Sequence, residues 1–224
     1  MGKLTVPCLA LVTDRSALGG LSLEEAVAQA IEGGANLVQL REKDPDERSL
    51  AAADLLALAE KLRAVTQGRA LFLVNDRLDV ALACAADGVH LPERGLPVAA
   101  ARRLAGDAFI IGRSVHSVAE AVRAQEEGAD YVQVGAIFAS RSHPGQPVAG
   151  LSLLEDVAAA VAIPILAVGG ITAANVGDVM RAGASGAAVI SAILGTPSPR
   201  EAARGLAQAM AAVATKADAR RARP

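Results

Sequence analysis

Two turns of small residues late in the sequence could bind an anion through the main chain. Gly169 and Gly170 follow the apolar run IPILAV, and Ser191 and Ala192 follow the run GAAVI. Glycine lets a ligand approach the peptide groups closely, and a helix start presents unpaired N–H groups with partial positive charge. Thr172 is suited to cap a helix that begins just after the glycines. These features predict a phosphate site, and tight turns without a ligand are the alternative.

Polar residues in the segment VQLREKD could bind a diphosphate. The segment places Gln39, Arg41 and Lys43 at alternating positions after a short apolar run. A guanidinium offers two aligned donors and an ammonium offers a mobile third, which suits the oxygen atoms of a diphosphate. A solvated run of surface charges is the alternative.

The segment VNDRLD could supply a metal ligand. Asp76 directly follows the end of an apolar run. A carboxylate beside cations and a diphosphate is a suitable ligand for Mg²⁺, which prefers oxygen. The amide of Asn75 could form a hydrogen bond with a substrate. Alternatively, the two residues simply cap the helix predicted over LDVALACA.

The three histidines have different surroundings. His143 lies in ASRSHPGQP, a long polar loop with proline and glycine, and such loops commonly close over ligands. A flexible linker is the alternative. His90 ends a short apolar run and is expected to be a core imidazole. His116, in RSVHS, is expected to support Ser114.

A phrase that occurs four times indicates which elements position these residues. IEGGANLVQL, CAADGVHL, EEGADYVQVG and RAGASGAAVI each close an Ala-rich helical stretch and open a strand. A glycine at the helix end takes the left-handed cap, the next small polar residue makes the turn, and an apolar run follows. With the gaps filled, the predicted strands cover residues 7–12, 36–40, 70–74, 87–91, 108–112, 130–134, 163–168 and 186–190. Helical patterns separate them, with capping boxes at Ser22–Glu25 and Ser117–Glu120.

Strands that alternate with helices in a chain of 224 residues predict a single-domain α/β fold, the (β/α)8 TIM barrel. An open doubly wound sheet has the same alternation and stays the alternative. In a barrel, residues that follow the strands converge on one mouth, where the sites of this fold are built. The polar residues named above would then lie together, with Arg113. We expect the barrel over residues 1–214 and a basic, frayed tail over residues 215–224.

The composition disfavours several classes of function. A formal net charge of -2, no Trp, one Tyr and three Phe offer neither the positive field nor the rings that nucleic-acid binding needs. Cys8 and Cys84 are isolated, which indicates no disulfide framework or zinc site and fits a cytoplasmic protein. The uncharged stretch Val157–Gly177 could reach across a membrane as a helix of roughly 20 residues, but Pro164 and the glycines favour a buried strand instead. The Ala-rich exterior is compatible with a homodimer.

Taken in order, the phrases VQLREK, VNDRLDVALACAADGVHL, IGRSVHS, GADYVQVGAIF, PILAVGGI and AGASGAAVISAI resemble the thiamine phosphate synthase family and its sister branch, the thiazole tautomerases. The resemblance extends over about residues 8 to 212 and implies a (β/α)8 barrel that acts in thiamine biosynthesis. For a synthase it implies that 4-amino-5-hydroxymethyl-2-methylpyrimidine diphosphate joins the thiazole phosphate and releases diphosphate, with Mg²⁺ on the leaving group. The implied path is dissociation to a pyrimidine carbocation and attack by the thiazole nitrogen. Such a reaction needs stabilisation of the departing charge more than a strong base.

The resemblance also implies roles for individual residues. Those that match contacts to the pyrimidine diphosphate are Gln39, Arg41, Lys43 and Asn75. Asp76 matches a magnesium ligand, and Ser114 matches a residue that faces the diphosphate. Those that match the thiazole-phosphate cradle are Gly170, with Gly169 beside it, Ile190 and Ser191. We expect Arg41, Lys43, Ser114 and His143 to act on the leaving group.

Three positions depart from the family pattern. Gly95, in HLPERG, stands where the synthases carry a second Asp ligand for magnesium, and His143 stands where they carry a diphosphate-binding Lys. Ala136 stands where the synthases carry Pro and the tautomerases an acid/base His. The phrases HLP and IGRSVHS lean towards the tautomerases, but Ala136 cannot transfer a proton. We favour the synthase, with a thiazole tautomerase and a non-catalytic thiazole-phosphate-binding regulator as alternatives.

Overall fold

Parallel strands close into a barrel. The structure, a computed structural model, describes residues 4–42, 50–139 and 148–221, with side chains up to residue 213. Each strand pairs in parallel with the next along the chain, and the last pairs with the first. The strands are β1 Cys8–Val12, β2 Leu37–Leu40, β3 Leu71–Asn75, β4 Gly88–Leu91, β5 Ile110–Val115, β6 Tyr131–Val134, β7 Ile165–Val168 and β8 Gly186–Val189. This topology confirms the predicted (β/α)8 barrel and excludes the open doubly wound sheet.

Helices cover the outside of the barrel. They are α1 Leu23–Glu32, α2 Ala52–Thr66, α3 Leu78–Ala83, α4 Val98–Ala105, α5 Val118–Glu126, α6 Gly150–Ala160, α7 Val176–Arg181, α8 Ser191–Leu194 and α9 Pro199–Arg221. At α1 the predicted capping box between Ser22 and Glu25 forms in both directions. At α5 only half of the predicted box forms. The Ser117 side chain accepts from the Glu120 N–H, but the Glu120 carboxylate accepts from the N–H of His116 at 2.7 Å.

The fifth strand differs most from its prediction. The sequence predicts residues 108–112, whereas the observed strand begins at Ile110 and continues to Val115, so that Ser114 pairs with Gln133 of β6. The apolar run ends early because the upper part of a barrel strand faces a polar mouth, where apolar side chains are not required. Arg113 and Ser114 therefore lie within the strand and not in the loop that follows it. The other predicted strands agree with the observed ones to within two residues at each end.

Side chains of the barrel strands alternate between the interior and the helices. A compact inner cluster contains Leu37, Leu73 and Tyr131, and a larger outer cluster joins the opposite faces of the strands to the helices. Tyr131 is completely buried inside the barrel. It fits there because Gly112 lies beside its ring, where a β-carbon would overlap the ring atoms.

The repeated phrase of the sequence corresponds to a hydrogen-bonded joint at the start of every second strand. The polar residue of each phrase exchanges two hydrogen bonds with one residue of the preceding strand. In the first joint, the Asn36 N–H donates to the Leu9 carbonyl at 3.1 Å, and Asn36 Oδ1 accepts from the Leu9 N–H at 2.9 Å. The equivalent pairs are Asp87 with Phe72, Asp130 with Ile111, and Ser185 with Ile165. We call Asn36, Asp87, Asp130 and Ser185 the joint residues. The polar residue thus joins two strands in addition to making the expected turn.

Three further features bear on the sequence predictions. None of the helices in the described residues is both long enough and apolar enough to cross a membrane. Cys8 and Cys84 are buried and free, and burial raises the pKa of the Cys8 thiol to about 12. Helix α9 continues to Arg221, which is inside the segment 215–224 predicted as a tail. The domain boundary at residue 214 stays a prediction.

Candidate active site

The carboxyl ends of the strands form a polar layer inside the barrel mouth. Each of its members lies two residues beyond an inward-facing residue of the same strand, so each also faces inward. We call this layer the floor; it consists of the polar residues Gln39, Asn75, His90, Ser114 and Gln133, and of the apolar Ile190, which directly follows β8. The floor contains three of the six substrate-binding residues predicted from the sequence: Gln39, Asn75 and Ile190. Arg113 alternates to the opposite face of β5, so it does not lie in the mouth as predicted. Its guanidinium donates to the carbonyls of Glu93 and Leu96.

Gln39 and Asn75 form a connected pair of amides in the floor. Gln39 Nε2 donates to Asn75 Oδ1 at 3.1 Å. Gln39 is only 2% exposed, and its Oε1 atom is buried without a hydrogen-bond partner. A buried, unsatisfied carbonyl oxygen is costly unless a ligand supplies a donor. The pair is therefore arranged to accept a donor from a bound molecule.

The main chain of Arg41 is held just above β2. Its N–H donates to Thr13 Oγ1 at 3.0 Å, and Thr13 is completely buried. The adjacent carboxylate of Glu42 accepts from both the N–H and the Nε of Arg15, at 3.2 and 3.1 Å. Within the described part of the chain, no carboxylate pairs with the Arg41 guanidinium, and Glu42 pairs with Arg15. Lys43, the second predicted cation, lies outside the described residues.

Asp76 lies at the mouth in an unusual backbone conformation. Its φ is +64°, a region in which Asp and Asn are enriched among residues other than glycine, and its N–H donates to the His90 carbonyl at 2.8 Å. The prediction that Asn75 and Asp76 cap the next helix is wrong. Helix α3 has Arg77 as its N-cap and no side-chain cap, and the Arg77 guanidinium pairs with Asp79. The carboxylate of Asp76 forms no hydrogen bond with any described residue.

The acidic groups around Asp76 are few. No group of three or more His, Cys, Asp or Glu side chains is arranged to hold a metal ion in residues 4–42, 50–139 or 148–213. Gly95, the position at which a second carboxylate is missing, lies directly beside Asp76. Mg²⁺ commonly binds one or two protein carboxylates together with substrate phosphates and water. The free carboxylate of Asp76 fits that mode of binding, with phosphate oxygens as the other ligands.

A buried histidine links Ser114 to the interior of the barrel. His90 Nε2 lies 2.8 Å from Ser114 Oγ, and His90 Nδ1 lies 2.9 Å from Tyr131 Oη. Burial lowers the pKa of His90 to about 3, so the imidazole is neutral. The expectation that His90 is a satisfied core imidazole is confirmed. The expectation that His116 supports Ser114 is wrong, because His116 Nδ1 contacts the Gly135 carbonyl instead.

The two glycines after β7 have positive φ angles of +98° and +62° at Gly169 and Gly170. A β-carbon on Gly169 would lie 2.8 Å from that of Ala136, and one on Gly170 would overlap the Ala139 carbonyl oxygen. Packing of the preceding loop thus requires both glycines, independently of any ligand. Asn175 closes the turn, since its side chain accepts from the Thr172 N–H at 2.8 Å and donates to the Gly170 carbonyl at 3.0 Å.

The helix after this turn begins later than predicted. Helix α7 starts at Val176, and Thr172 does not cap it. At the adjacent strand end, Ile190 is the N-cap of the short helix α8, which begins at Ser191. No described residue accepts a hydrogen bond from the main-chain N–H groups of Gly170 or Ser191. An anion at this corner of the mouth would be bound by main-chain donors of two neighbouring turns.

The loop after β6 is described only at its two ends. The N–H groups of Ile137 and Phe138 donate to the carbonyls of Val168 and Gly169, which joins this loop to the β7 turn. His143 lies outside the described residues. Ala136 contributes only a methyl group beside Gly169, so position 136 offers no acid or base.

Four residues that shape the site were not found by sequence reasoning. Tyr131 and Gln133 occur in the strand YVQV, Thr13 follows β1, and Asn175 follows the β7 turn. Gln133 is 6% exposed, and its Nε2 atom is buried without a partner. The alternation of Tyr131 and Gln133 in one strand is the signal that could have placed both inside the barrel.

The arrangement favours charge stabilisation over proton transfer. The described mouth combines a guanidinium, a free carboxylate, a hydroxyl, amides and main-chain N–H groups. Its buried imidazole is neutral and engaged on both nitrogens. Such a set can bind a phosphorylated substrate and stabilise a departing anion.

Comparison with known proteins gives consistent results. The sequence profile of the family described as thiamine monophosphate synthase matches residues 9–193. The thiamine-phosphate synthase of Methanoculleus marisnigri is 48% identical, over 91% of this chain and 95% of its own length. That of Roseiflexus castenholzii is 46% identical, over 88% and 85%. Among solved structures, thiamine phosphate pyrophosphorylase from Pyrococcus furiosus superposes with a TM-score of 0.81 at 36% identity, over 92% of this chain and 96% of that one.

Proposed function

The chain belongs to the thiamine monophosphate synthase family, and from this we propose that it makes thiamine phosphate. The substrates are 4-amino-5-hydroxymethyl-2-methylpyrimidine diphosphate and 4-methyl-5-(2-hydroxyethyl)thiazole phosphate. The bond between the pyrimidine methylene carbon and the diphosphate oxygen breaks, and the thiazole nitrogen forms a bond to that carbon. Diphosphate leaves with the electron pair of the broken bond.

The observation that carries this proposal is the free carboxylate of Asp76 at the mouth. Its main chain is fixed by the hydrogen bond to His90, while the neighbouring cation, Arg77, pairs with Asp79. A buried or half-buried carboxylate that binds nothing in the protein is unfavourable without a cation. A diphosphate substrate that carries a divalent cation supplies one.

Asp76 would hold Mg²⁺ together with the diphosphate. A metal ion held there would supply positive charge that stabilises the leaving group. Arg41 binds the same group with aligned donors, and the hydroxyl of Ser114 donates to it from below. Lys43 and His143 are proposed to contribute further contacts to the diphosphate from the loops after β2 and β6.

The amides of the floor are proposed to bind the pyrimidine ring. Gln39 Oε1 lacks a donor and Gln133 Nε2 lacks an acceptor, so the two atoms are complementary to a ring that carries both an amino group and ring nitrogens. Asn75 holds Gln39 through their hydrogen bond. This set would orient the methylene carbon of the pyrimidine above the floor, where the thiazole reaches it.

The phosphate of the thiazole is assigned to the corner formed by the β7 and β8 turns. Gly169 and Gly170 bring main-chain donors close to the ligand, and Ser191 at the start of α8 adds a donor from the adjacent turn. Ile190 packs beside the thiazole ring. This corner lies next to the floor because β8 is the neighbour of both β7 and β1.

The coupling reaction with purified protein tests the proposal. Thiamine phosphate and diphosphate should appear together, in equal amounts and only when Mg²⁺ is present. If the protein binds the thiazole phosphate but forms neither product, the proposed synthase activity is overturned. The same sample would then be assayed with the carboxythiazole phosphate, the tautomerase substrate.

The tautomerase and the non-catalytic regulator are not favoured. A tautomerase needs an acid/base group near the thiazole, and position 136 carries only a methyl group. The relatives named above are both called synthases. The cytoplasmic location and the homodimer stay predictions, and size-exclusion chromatography with light scattering measures the second.

A further inference from the structure

We propose that Tyr131 and His90 act as positioning residues that fix the hydroxyl of Ser114 as a hydrogen-bond donor into the mouth. The inference rests on the proposed function only for the identity of the acceptor, which is the leaving diphosphate. The hydrogen-bonded chain itself is a property of the free protein.

The chain is continuous and buried. Tyr131 Oη lies 2.9 Å from His90 Nδ1, and His90 Nε2 lies 2.8 Å from Ser114 Oγ. Tyr131 is completely buried and His90 is 1% exposed. Ser114, at the upper end of this hydrogen-bonded chain, is half-buried.

The direction in which these hydrogen bonds are donated follows from the lower end of the hydrogen-bonded chain, at Tyr131. Burial holds the pKa of Tyr131 well above its usual value, so the phenol keeps its proton. In the described residues, His90 Nδ1 is the only hydrogen-bond partner of that phenol. If Nδ1 carried the proton, the buried O–H of Tyr131 would have no acceptor, which is unfavourable. The phenol therefore donates to Nδ1.

The direction at the upper end is then determined. A neutral imidazole carries one proton, so with Nδ1 as acceptor the proton is on Nε2. Nε2–H donates to Ser114 Oγ, and the hydroxyl proton of Ser114 stays free for a third group. With the other tautomer, Ser114 would donate its proton to His90 and could not donate to a ligand.

The geometry of the barrel supports this role. Gly112 leaves the space that the Tyr131 ring occupies, and the centroid of that ring lies 5.7 Å from the centroid of the His90 ring. Ser114 lies on β5 and pairs in register with β6, which carries Tyr131. The serine and the tyrosine are thus fixed by neighbouring strands and not by loops.

The tautomer is measured directly by two-bond ¹H–¹⁵N correlation spectra of protein labelled with ¹⁵N-histidine. The chain contains three histidines, so His90→Gln identifies the signal of His90 by difference. We expect His90 to be entirely in the Nε2–H tautomer in the free wild-type protein. In Tyr131→Phe, which conserves the packing of the ring, we expect a mixture of the two tautomers. A wild-type His90 in the Nδ1–H tautomer would overturn the inference, whatever substrate the protein uses.

Binding of inorganic diphosphate with Mg²⁺ tests the consequence. Tyr131→Phe should weaken binding about fivefold and lower kcat about tenfold, since one directed donor is lost. In a Ser114→Ala background, Tyr131→Phe should have no further effect, because the donor is already absent. Equal effects of Tyr131→Phe in both backgrounds would overturn the inference.

Two further variants separate positioning from structure. His90→Gln places an amide donor near Ser114 and should retain more activity than His90→Leu, which removes the donor. Thr66→Val is a matched control that removes a buried hydroxyl from α2, remote from the mouth. It should lower stability and leave diphosphate binding unchanged. A wild-type protein that shows the expected tautomer but forms no thiamine phosphate would overturn the proposed function and leave this inference supported.

Discussion

Asp76 Oδ1 lies 2.9 Å from the point at which a β-carbon on Gly95 would stand. The same point is 2.8 Å from the Pro92 ring. The loop after β4 is therefore packed against the Asp76 carboxylate in a way that only glycine permits. A second carboxylate cannot be added at this position without a shift of the loop.

Gly95→Ala should weaken the binding of Mg²⁺ more than it lowers the stability of the protein. The added methyl would displace the Asp76 carboxylate or the loop, at a cost of about 1–2 kcal/mol in stability. We expect a rise of about tenfold in the Mg²⁺ concentration for half-maximal activity. Gly19→Ala is the matched control, because the nearest atom to a β-carbon there is 3.9 Å away. An unchanged Mg²⁺ requirement in Gly95→Ala would contradict the placement of Mg²⁺ at Asp76.

Asp76→Asn should abolish most activity while the protein stays folded. Asparagine tolerates the φ of +64° and keeps the N–H donor to His90, but its amide is a weaker ligand for Mg²⁺. We expect kcat/KM to fall by about 10² to 10³ with little change in the melting temperature. Asp76→Ala is a less specific test because alanine is strained at this φ. Full activity of Asp76→Asn would show that this carboxylate is not the metal ligand.

Gln133→Leu should weaken substrate binding selectively. The leucine fills the same space but removes the buried Nε2 donor that lacks a partner in the free protein. We expect KM for the pyrimidine diphosphate to rise about tenfold, with stability equal to or above that of the wild type. Gln208→Leu, an exposed change on α9, controls for the loss of a glutamine. If KM for the thiazole phosphate rises instead, Gln133 contacts the other substrate.

His90 should make the protein less stable in acid. The pKa of His90 is lowered to about 3 in the folded protein, against about 6.5 in an unfolded chain. Between these values the unfolded state binds more protons, so stability falls as the pH falls through this window. The unfolding free energy of His90→Gln, measured in urea from pH 7 to pH 4, should fall less steeply than that of the wild type. Parallel pH profiles would mean that His90 does not titrate differently in the two states.

The joint residues should affect stability without affecting activity. Asn36→Ala removes the acceptor of the buried Leu9 N–H, and Asp130→Ala removes the acceptor of the Ile111 N–H and the partner of Arg102. We expect losses of about 1–2 kcal/mol for the first and about 2–3 kcal/mol for the second. Urea unfolding measures both. Kinetic constants that change as much as those of Asp76→Asn would contradict the separation of these joints from the site.

Regular patterns in the sequence predicted the alternation of strands and helices and favoured a barrel, but the closed strand order of the structure was needed to exclude an open doubly wound sheet. The glycine, the polar turn residue and the apolar run recur because each βα unit solves the same packing problem. That regularity predicts where the strands lie along the sequence, and the ordered family motifs place Gln39, Asn75, Asp76 and Ser114 at the mouth. The extension of β5 was missed because polar residues such as Ser114 interrupt the apolar run in a strand whose upper end faces the mouth.

Contacts between distant segments could not be predicted. The link from His90 to Ser114 and Tyr131 depends on the register of three strands, and no local pattern encodes it. His116 was expected to support Ser114 because the two are close in sequence, but His90, which is distant in sequence, makes that contact. The helix-cap interpretation of Asn75 and Asp76 also failed, because the same local sequence fits a helix cap and an unpaired carboxylate at the mouth.

The joint residues stand at the beginnings of the strands, and the floor stands at their ends. A single strand of four to six residues separates the two, with Tyr131 filling the space between them. The residues that stabilise the fold and the residues that face the site therefore lie at opposite ends of the same short strands. Substitutions at the joint residues could therefore raise thermal stability, and substitutions in the floor could change substrate specificity, with little effect of one set on the other.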